Sequence, residues 1–217
     1  MIYIYCAYLS KSFQDNLFNE KLNLFPLEFQ NKLLQYRRWQ DAQASMIGRL
    51  LLQRGLESYC QYKLKFEEIR YSEYYKPFLK THIDFNITHS GELVCCAIST
   101  KSKIGIDIEK INKSVDVNNF KSQMTKFELD KIKQSNQQIH NFYKYWTQKE
   151  AVIKLEGKGL SIPLKSFEVK NGLASIDSRM ISTKEIFIEC AYVCHIASYD
   201  RLISNRIILK KISSIEL

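Results

Sequence analysis

Ile104-Gly105-Ile106-Asp107-Ile108-Glu109 alternates without a break: three isoleucines fall on one side, and Gly105, Asp107 and Glu109 on the other. Period-two alternation with β-branched residues predicts a strand whose isoleucine face is buried. Asp107 and Glu109 then project from the same face, roughly 7 Å apart along the strand. Two carboxylates held that close repel one another unless positive charge lies between them. A hard divalent cation that prefers oxygen ligands is one source of that charge. The competing reading is an edge strand with a solvated acidic face.

Further along, residues 141–156 have helical character, with Phe142, Trp146, Lys149 and Ile153 at i, i+4, i+7 and i+11 on one stripe. A lysine inside an apolar stripe is the informative residue. Glu150 and Lys154 lie on its flank, four apart in the order that favours attraction, and taken alone they read as an ordinary exposed salt bridge. Gly157-Lys158-Gly159-Leu160 ends the helix in a flexible basic loop, and Pro163 bars its continuation. If this helix packs beside the 104–109 strand, Asp107, Glu109 and Glu150 surround one point, with Lys149, Lys154 and Lys158 around its rim. Acids for a metal and lysines for phosphate are the layout of a magnesium-dependent phosphoryl-transfer site. No Walker-type loop or dinucleotide glycine fingerprint accompanies it.

The surrounding chain reads as mixed helix and strand. An apolar first strand over residues 1–8 lacks the charged region and cleavage site of a signal peptide. Short helical pattern follows over 12–24, then a long one over 27–62 with a break expected near 38–41. Strands are predicted at 66–71, 93–99, 167–169, 186–192, 195–199 and 207–212, and a polar helix within 114–137. The four residues 100–103 would join the 93–99 and 104–109 strands as a hairpin. Asn86-Ile87-Thr88-His89-Ser90-Gly91 gathers hydrogen-bond donors before a glycine turn, which suits phosphate recognition. His82, His140 and His195 have no such setting and read as structural. Without regular βαβ alternation the class is α+β.

Composition sets the limits. Lys and Arg number 32 against 23 Asp and Glu, spread along the chain, which predicts a basic surface or groove for an anionic ligand. The six cysteines show no zinc-type spacing and read as reduced, buried thiols of a cytosolic protein. No apolar run approaches the length of a membrane span.

Three blocks, 85–91, 104–109 and 146–160, stand in an order and spacing that closely resemble the 4′-phosphopantetheinyl transferases of the surfactin-synthetase-activating type. Weaker matches reach upstream through Tyr75-Lys76-Pro77-Phe78, Asp41-Ala42, Ser45 and Gly48-Arg49-Leu50-Leu51. The resemblance implies two similar α+β halves related by a pseudo-twofold, 1–104 and 105–217, with coenzyme A in the active-site cleft between them. It implies transfer of the phosphopantetheine arm of coenzyme A to a serine of an apo acyl or peptidyl carrier protein, with release of 3′,5′-ADP. Carried over residue by residue, Asp107, Glu109 and Glu150 resemble the Mg²⁺ ligands, with Mn²⁺ as a substitute, and Glu150 also the base. Lys154 would stabilise the diphosphate, with Lys149 beside it. Thr88 and His89 would contact coenzyme A phosphates, and Lys32, Ser45 and Lys76 the 3′-phosphate or adenine. The implied protein is a cytoplasmic monomer that needs neither nucleic acid nor membrane.

Three departures accompany the likeness. Thr88 stands where serine is commoner, Phe29 near Lys32 where relatives often carry another base, and Tyr75 where glycine often precedes Lys-Pro. Two rival readings stand beside it: another Mg²⁺-dependent phosphotransferase or nuclease using the same carboxylates, and a non-catalytic basic module that binds nucleic acid or an acidic partner, which the basic excess also fits.

Overall fold

The computed structural model describes residues 1–200 and 207–217, with residue 160 by its backbone alone. The chain forms two units. One takes Met1–Tyr71, Pro77–Lys101 and Ile207–Leu217; the other takes Ser72–Lys76 and the described residues 102–200.

In the first unit the N-terminal apolar run is β1 (Ile2–Tyr8). It lies inside a sheet of order β10-β1-β5-β4, where β4 is Asp84–Ser90, β5 is Leu93–Ser99 and β10 is Ile207–Lys211. β1 runs antiparallel to β5 and parallel to β10, so residues 207–217, expected with the C-terminal half, belong to this unit. Ser90 pairs with Leu93, and Gly91 supplies the positive φ, 56°, that a two-residue hairpin turn needs at its first central position. The 12–24 pattern becomes α1 (Lys11–Asn16) and α2 (Phe18–Leu22). The longer pattern becomes α3 (Leu27–Leu34) and α4 (Trp39–Cys60), broken just ahead of Trp39. α4 covers β1 and β5, and Leu51, Leu52 and Leu56 share a core with Tyr5, Val94 and Ile98. Of the strand predicted at 66–71, only β2 (Arg70–Tyr71) is extended, paired with β3 (Pro77–Phe78); Phe66–Glu68 is a 3-10 turn.

In the second unit the deciding stretch is β6 (Ile104–Lys110), with Ile104, Ile106 and Ile108 fully buried. β6 is one edge of an antiparallel sheet of order β6-β9-β8-β7, where β7 is Leu173–Ile176, β8 is Arg179–Glu185 and β9 is Tyr192–Ser198. The helix predicted over 141–156 is α6 (Gln138–Glu156), laid across β6 and β9, with α5 (Lys126–Lys133) against it. The fold is α+β, each unit being a four-stranded sheet covered by one long helix.

Several expectations are corrected. The hairpin between β5 and β6 does not form: β5 already has β1 on one edge and β4 on the other, so β6 pairs with β9. A short connection permits a hairpin but cannot create a vacant edge. Residues 167–169 are not a strand, although Phe167 and Val169 are buried. The strand predicted at 186–192 lies instead at 179–185, where Lys184 and Glu185 blur the apolar alternation. Within 114–137 only α5 is α-helical; Val117–Phe120 is a 3-10 turn. Among the described residues no disulfide forms, and Cys190 is exposed in the turn before β9 rather than buried. No described helix is long and apolar enough to cross a membrane.

Gly105 governs how closely α6 approaches β6. A Cβ placed there would stand 2.0 Å from the Ala151 carbonyl oxygen and 2.4 Å from the Leu155 nitrogen, both backbone atoms that cannot turn aside. Gly105→Ala therefore forces the helix off the strand. Overpacking of about 1–3 kcal/mol, at about 2–4 °C per kcal/mol for a chain of this size, lowers the melting temperature by about 2–12 °C in calorimetry.

Candidate active site

With α6 lying on the glycine, side chains one turn apart on the helix face the carboxylates that alternate with the isoleucines. Lys154 Nζ donates to Asp107 Oδ1 at 2.6 Å, and Asp107 is only 4% exposed. Glu150, one turn earlier and half-buried, shares this neighbourhood. Burial pushes its carboxyl above the usual range; the charge on Asp107 adds to the push, Lys154 opposes it, and Glu109 contributes a further rise. Asp107, Glu109, Glu150 and Lys154 are thus gathered from β6 and α6. The acids form an all-oxygen donor set of the kind Mg²⁺ takes. Among the described residues no three His, Cys, Asp or Glu side chains stand ready as a metal cage. The cation beside Asp107 is the Lys154 ammonium, while Glu109 and Glu150 are partly buried.

Lys149 does not join this group. Its side chain is fully buried, and Nζ donates to both oxygens of Glu128, at 2.7 and 2.8 Å, and to the Phe167 carbonyl at 2.8 Å. Glu128 also accepts the Val169 and Thr125 amides, the latter closing the capping box of α5. The expectation of Lys149 at the rim is therefore overturned. Position i+7 in an apolar stripe points inward, and the buried ammonium is satisfied by a buried acid. Lys158 faces Asp177 at 3.8 Å. Lys76 extends past Gly157, the αL residue that caps α6, and its ammonium donates to the carbonyls of Leu155 and Ile104 at 3.3 and 3.4 Å. A cation at the C-terminal end of a helix is favourably placed.

His195, read as structural, is buried directly across the ladder from Asp107 and hydrogen-bonded through Nδ1 to Thr147 Oγ1 at 2.8 Å. Burial holds its ring down to about 4, against an ordinary 6.5, with a counter-pull from Glu185, which itself pairs with Lys144 at 2.8 Å.

The first unit carries the remaining candidates. Lys32 is exposed on α3 and Ser45 half-buried on α4. Thr88 is buried while His89, next along β4, is exposed, as neighbours on opposite faces of a strand must be. Arg49, noted in the sequence only within the Gly48-Arg49-Leu50-Leu51 match, lies over the Phe29 ring with its guanidinium carbon 3.8 Å from the ring centroid. The i, i+4 spacing from Ser45, whose carbonyl and hydroxyl it meets at 2.9 and 3.2 Å, was the available signal.

The profile described as the 4′-phosphopantetheinyl transferase superfamily matches residues 103–199, the segment that holds all four gathered side chains. The profile described as 4′-phosphopantetheinyl transferase, N-terminal, matches residues 13–101. The 4′-phosphopantetheinyl transferase Sfp of Bacillus subtilis is 34% identical over 183 residues, 80% of each chain. The transferase gsp of Aneurinibacillus migulanus is 37% identical over 142 residues, 64% of this chain and 59% of the relative. The L-aminoadipate-semialdehyde dehydrogenase-phosphopantetheinyl transferase of Candida glabrata is 28% identical over 222 residues, 92% of this chain and 84% of the relative. The chain belongs to the 4′-phosphopantetheinyl transferase superfamily. Of the readings left open by the residues, the transferase is the one this membership supports, and within the superfamily the surfactin-activating type is the likeness shown.

Two stability measurements check the buried groups of this transferase. Lys149→Met strands the Glu128 carboxylate and costs about 3–5 kcal/mol in urea unfolding, and most of that loss returns in Lys149→Met/Glu128→Gln, where no buried charge remains. For His195, the unfolded chain takes up a proton below pH 6.5 that the folded protein refuses until about 4. Its contribution is therefore complete above the higher value and declines by about 1.4 kcal/mol per pH unit on the way down. Between pH 7.5 and 5.0 wild type loses about 2 kcal/mol more than His195→Gln.

Proposed function

We propose that the protein transfers the 4′-phosphopantetheine arm of coenzyme A to a serine hydroxyl of an apo acyl or peptidyl carrier protein in a Mg²⁺-dependent reaction. A serine Oγ–phosphorus bond forms, the diphosphate P–O bond breaks, and 3′,5′-ADP leaves with the bonding electrons. Asp107, Glu109 and Glu150 would hold the ion, with coenzyme A oxygens and water completing its shell. When bound, Mg²⁺ supplies Lewis-acid stabilisation of diphosphate charge. Glu150 takes the serine proton, directly or through water. Lys154 moves from Asp107 to the diphosphate, where its compact charge steadies the leaving group. The observation that carries this reading is the 2.6 Å Lys154–Asp107 contact beside Glu150, inside the segment that matches the superfamily.

Thr88 and His89 would contact coenzyme A phosphates, and Lys32, Ser45 and Lys76 the 3′-phosphate or adenine side. The carrier is an acidic partner, and the exposed Lys121, Lys126 and Lys131 suit its approach. Cysteines without disulfides suit the reducing cytoplasm, where we place the protein as a monomer. Mn²⁺ would substitute for Mg²⁺.

The test mixes protein, coenzyme A, Mg²⁺ and apo carrier and reads carrier mass. One phosphopantetheinyl addition is expected, abolished by EDTA and by Asp107→Ala, and Lys154→Met lowers kcat about 100-fold or more. Unchanged mass across fatty-acid, polyketide and peptide carriers rejects the reading.

A further inference from the structure

Cys6 and Cys95 are directly opposed in the antiparallel ladder of β1 and β5, and their Sγ atoms stand 2.8 Å apart. Both are free thiols, and both side chains lie wholly out of solvent. Opposed Cα atoms in such a ladder are about 4.5–5.5 Å apart, inside the window of about 4.4–6.8 Å that a disulfide accepts. The sulfurs need to close by only about 0.8 Å to reach bonding distance. Residues opposed across a ladder project from the same face, so the two strands need not turn to bring them together. Neighbouring Cys96 does not compete. It alternates to the other face of β5, in the core with Tyr5 and Ile98, and burial pushes its thiol well above the usual range.

We propose that Cys6 and Cys95 are an oxidisable dithiol, which hydrogen peroxide converts reversibly into a cross-strand disulfide. One sulfur attacks a peroxide oxygen; the O–O bond breaks, a sulfenic acid forms, and water leaves with the thiol proton. The second sulfur then attacks the sulfenic sulfur; the S–S bond forms, the S–O bond breaks, and a second water carries off the remaining proton. Two electrons pass from the thiols to the peroxide. A small dithiol reverses the change by exchange. Both strands are interior to their sheet, so the oxidant meets the pair during partial opening of the unit. The link joins residues 89 positions apart and closes a loop that holds α1 to α4 and β4, which restricts the unfolded chain. Thr88 on β4 faces Cys95 from its other side, so the lock lies in the strand that aligns Thr88 and His89. The proposal rests on the thiol geometry and is independent of the proposed function.

The test uses the full chain carrying Cys60→Ser and Cys190→Ser, which removes the two thiols outside the buried set. It is treated with hydrogen peroxide, alkylated in denaturant and digested without reductant for mass spectrometry. The expected product is a protein lighter by two hydrogens, with one linked pair of peptides, those of Cys6 and Cys95. Its melting temperature rises by about 4–16 °C over the reduced form, as closure of a long loop gives. Dithiothreitol returns mass and melting temperature to their starting values. Cys96→Ala keeps the link and the rise, whereas Cys6→Ala and Cys95→Ala lose both. Each variant is compared with itself before and after peroxide, so packing lost to a smaller side chain cancels. Four results overturn the inference: thiols that all remain open to alkylation, links made chiefly through Cys96 or Cys194, sulfinic acids in place of a link, or a link that leaves the melting temperature unchanged.

Discussion

The backbone of α6 rests on β6 at Gly105, and the chemistry of the second unit depends on that approach. Side chains normally keep the backbone of a helix away from the sheet it covers. Here one position has no side chain, and Ala151 and Leu155 come into contact with the strand. Glu150 and Lys154 consequently reach Asp107 and Glu109 across a short gap. The charges on Asp107 and Glu109 then add to the burial that raises the Glu150 carboxyl, and a lysine from the helix pairs with the buried Asp107.

Around this contact the unit uses buried charge as a brace. Glu128 and Lys149 lie fully out of water, and each is saturated: the ammonium has three oxygen acceptors, and the carboxylate takes two amides as well as the ammonium. Such a pair contributes little net stability over an apolar substitute, since both charges were desolvated to make it. What it adds is constraint. It links α5, α6 and the irregular 167–169 segment, and because Lys149 and Glu150 are consecutive on α6, an anchor on the first limits the rotation of the second. His195 and Thr147 form a smaller buried link between the same helix and β9.

The first unit solves a different problem with the same economy of parts. Its cations are spread over α3 and α4, and one of them, Arg49, lies over the ring of Phe29. An aromatic residue beside Lys32 looks in the sequence like the loss of a basic neighbour. In the structure it is the surface that orders one contributed from the next helix.

The residues by themselves determined the alternation of 104–109, the amphipathic helix that carries Glu150 and Lys154, and the glycine that ends it. Each is a local pattern with a period of its own, and the side chain at every second or every fourth position can only face one way. They also determined the superfamily, through three ordered blocks. Strand partners, the inward course of Lys149, the capping role of Lys76 and the stack of Arg49 on Phe29 were decided only in three dimensions. Periodicity says which face of an element is buried but not what lies against it, and an available sheet edge or a buried counter-ion is supplied by residues distant in the chain.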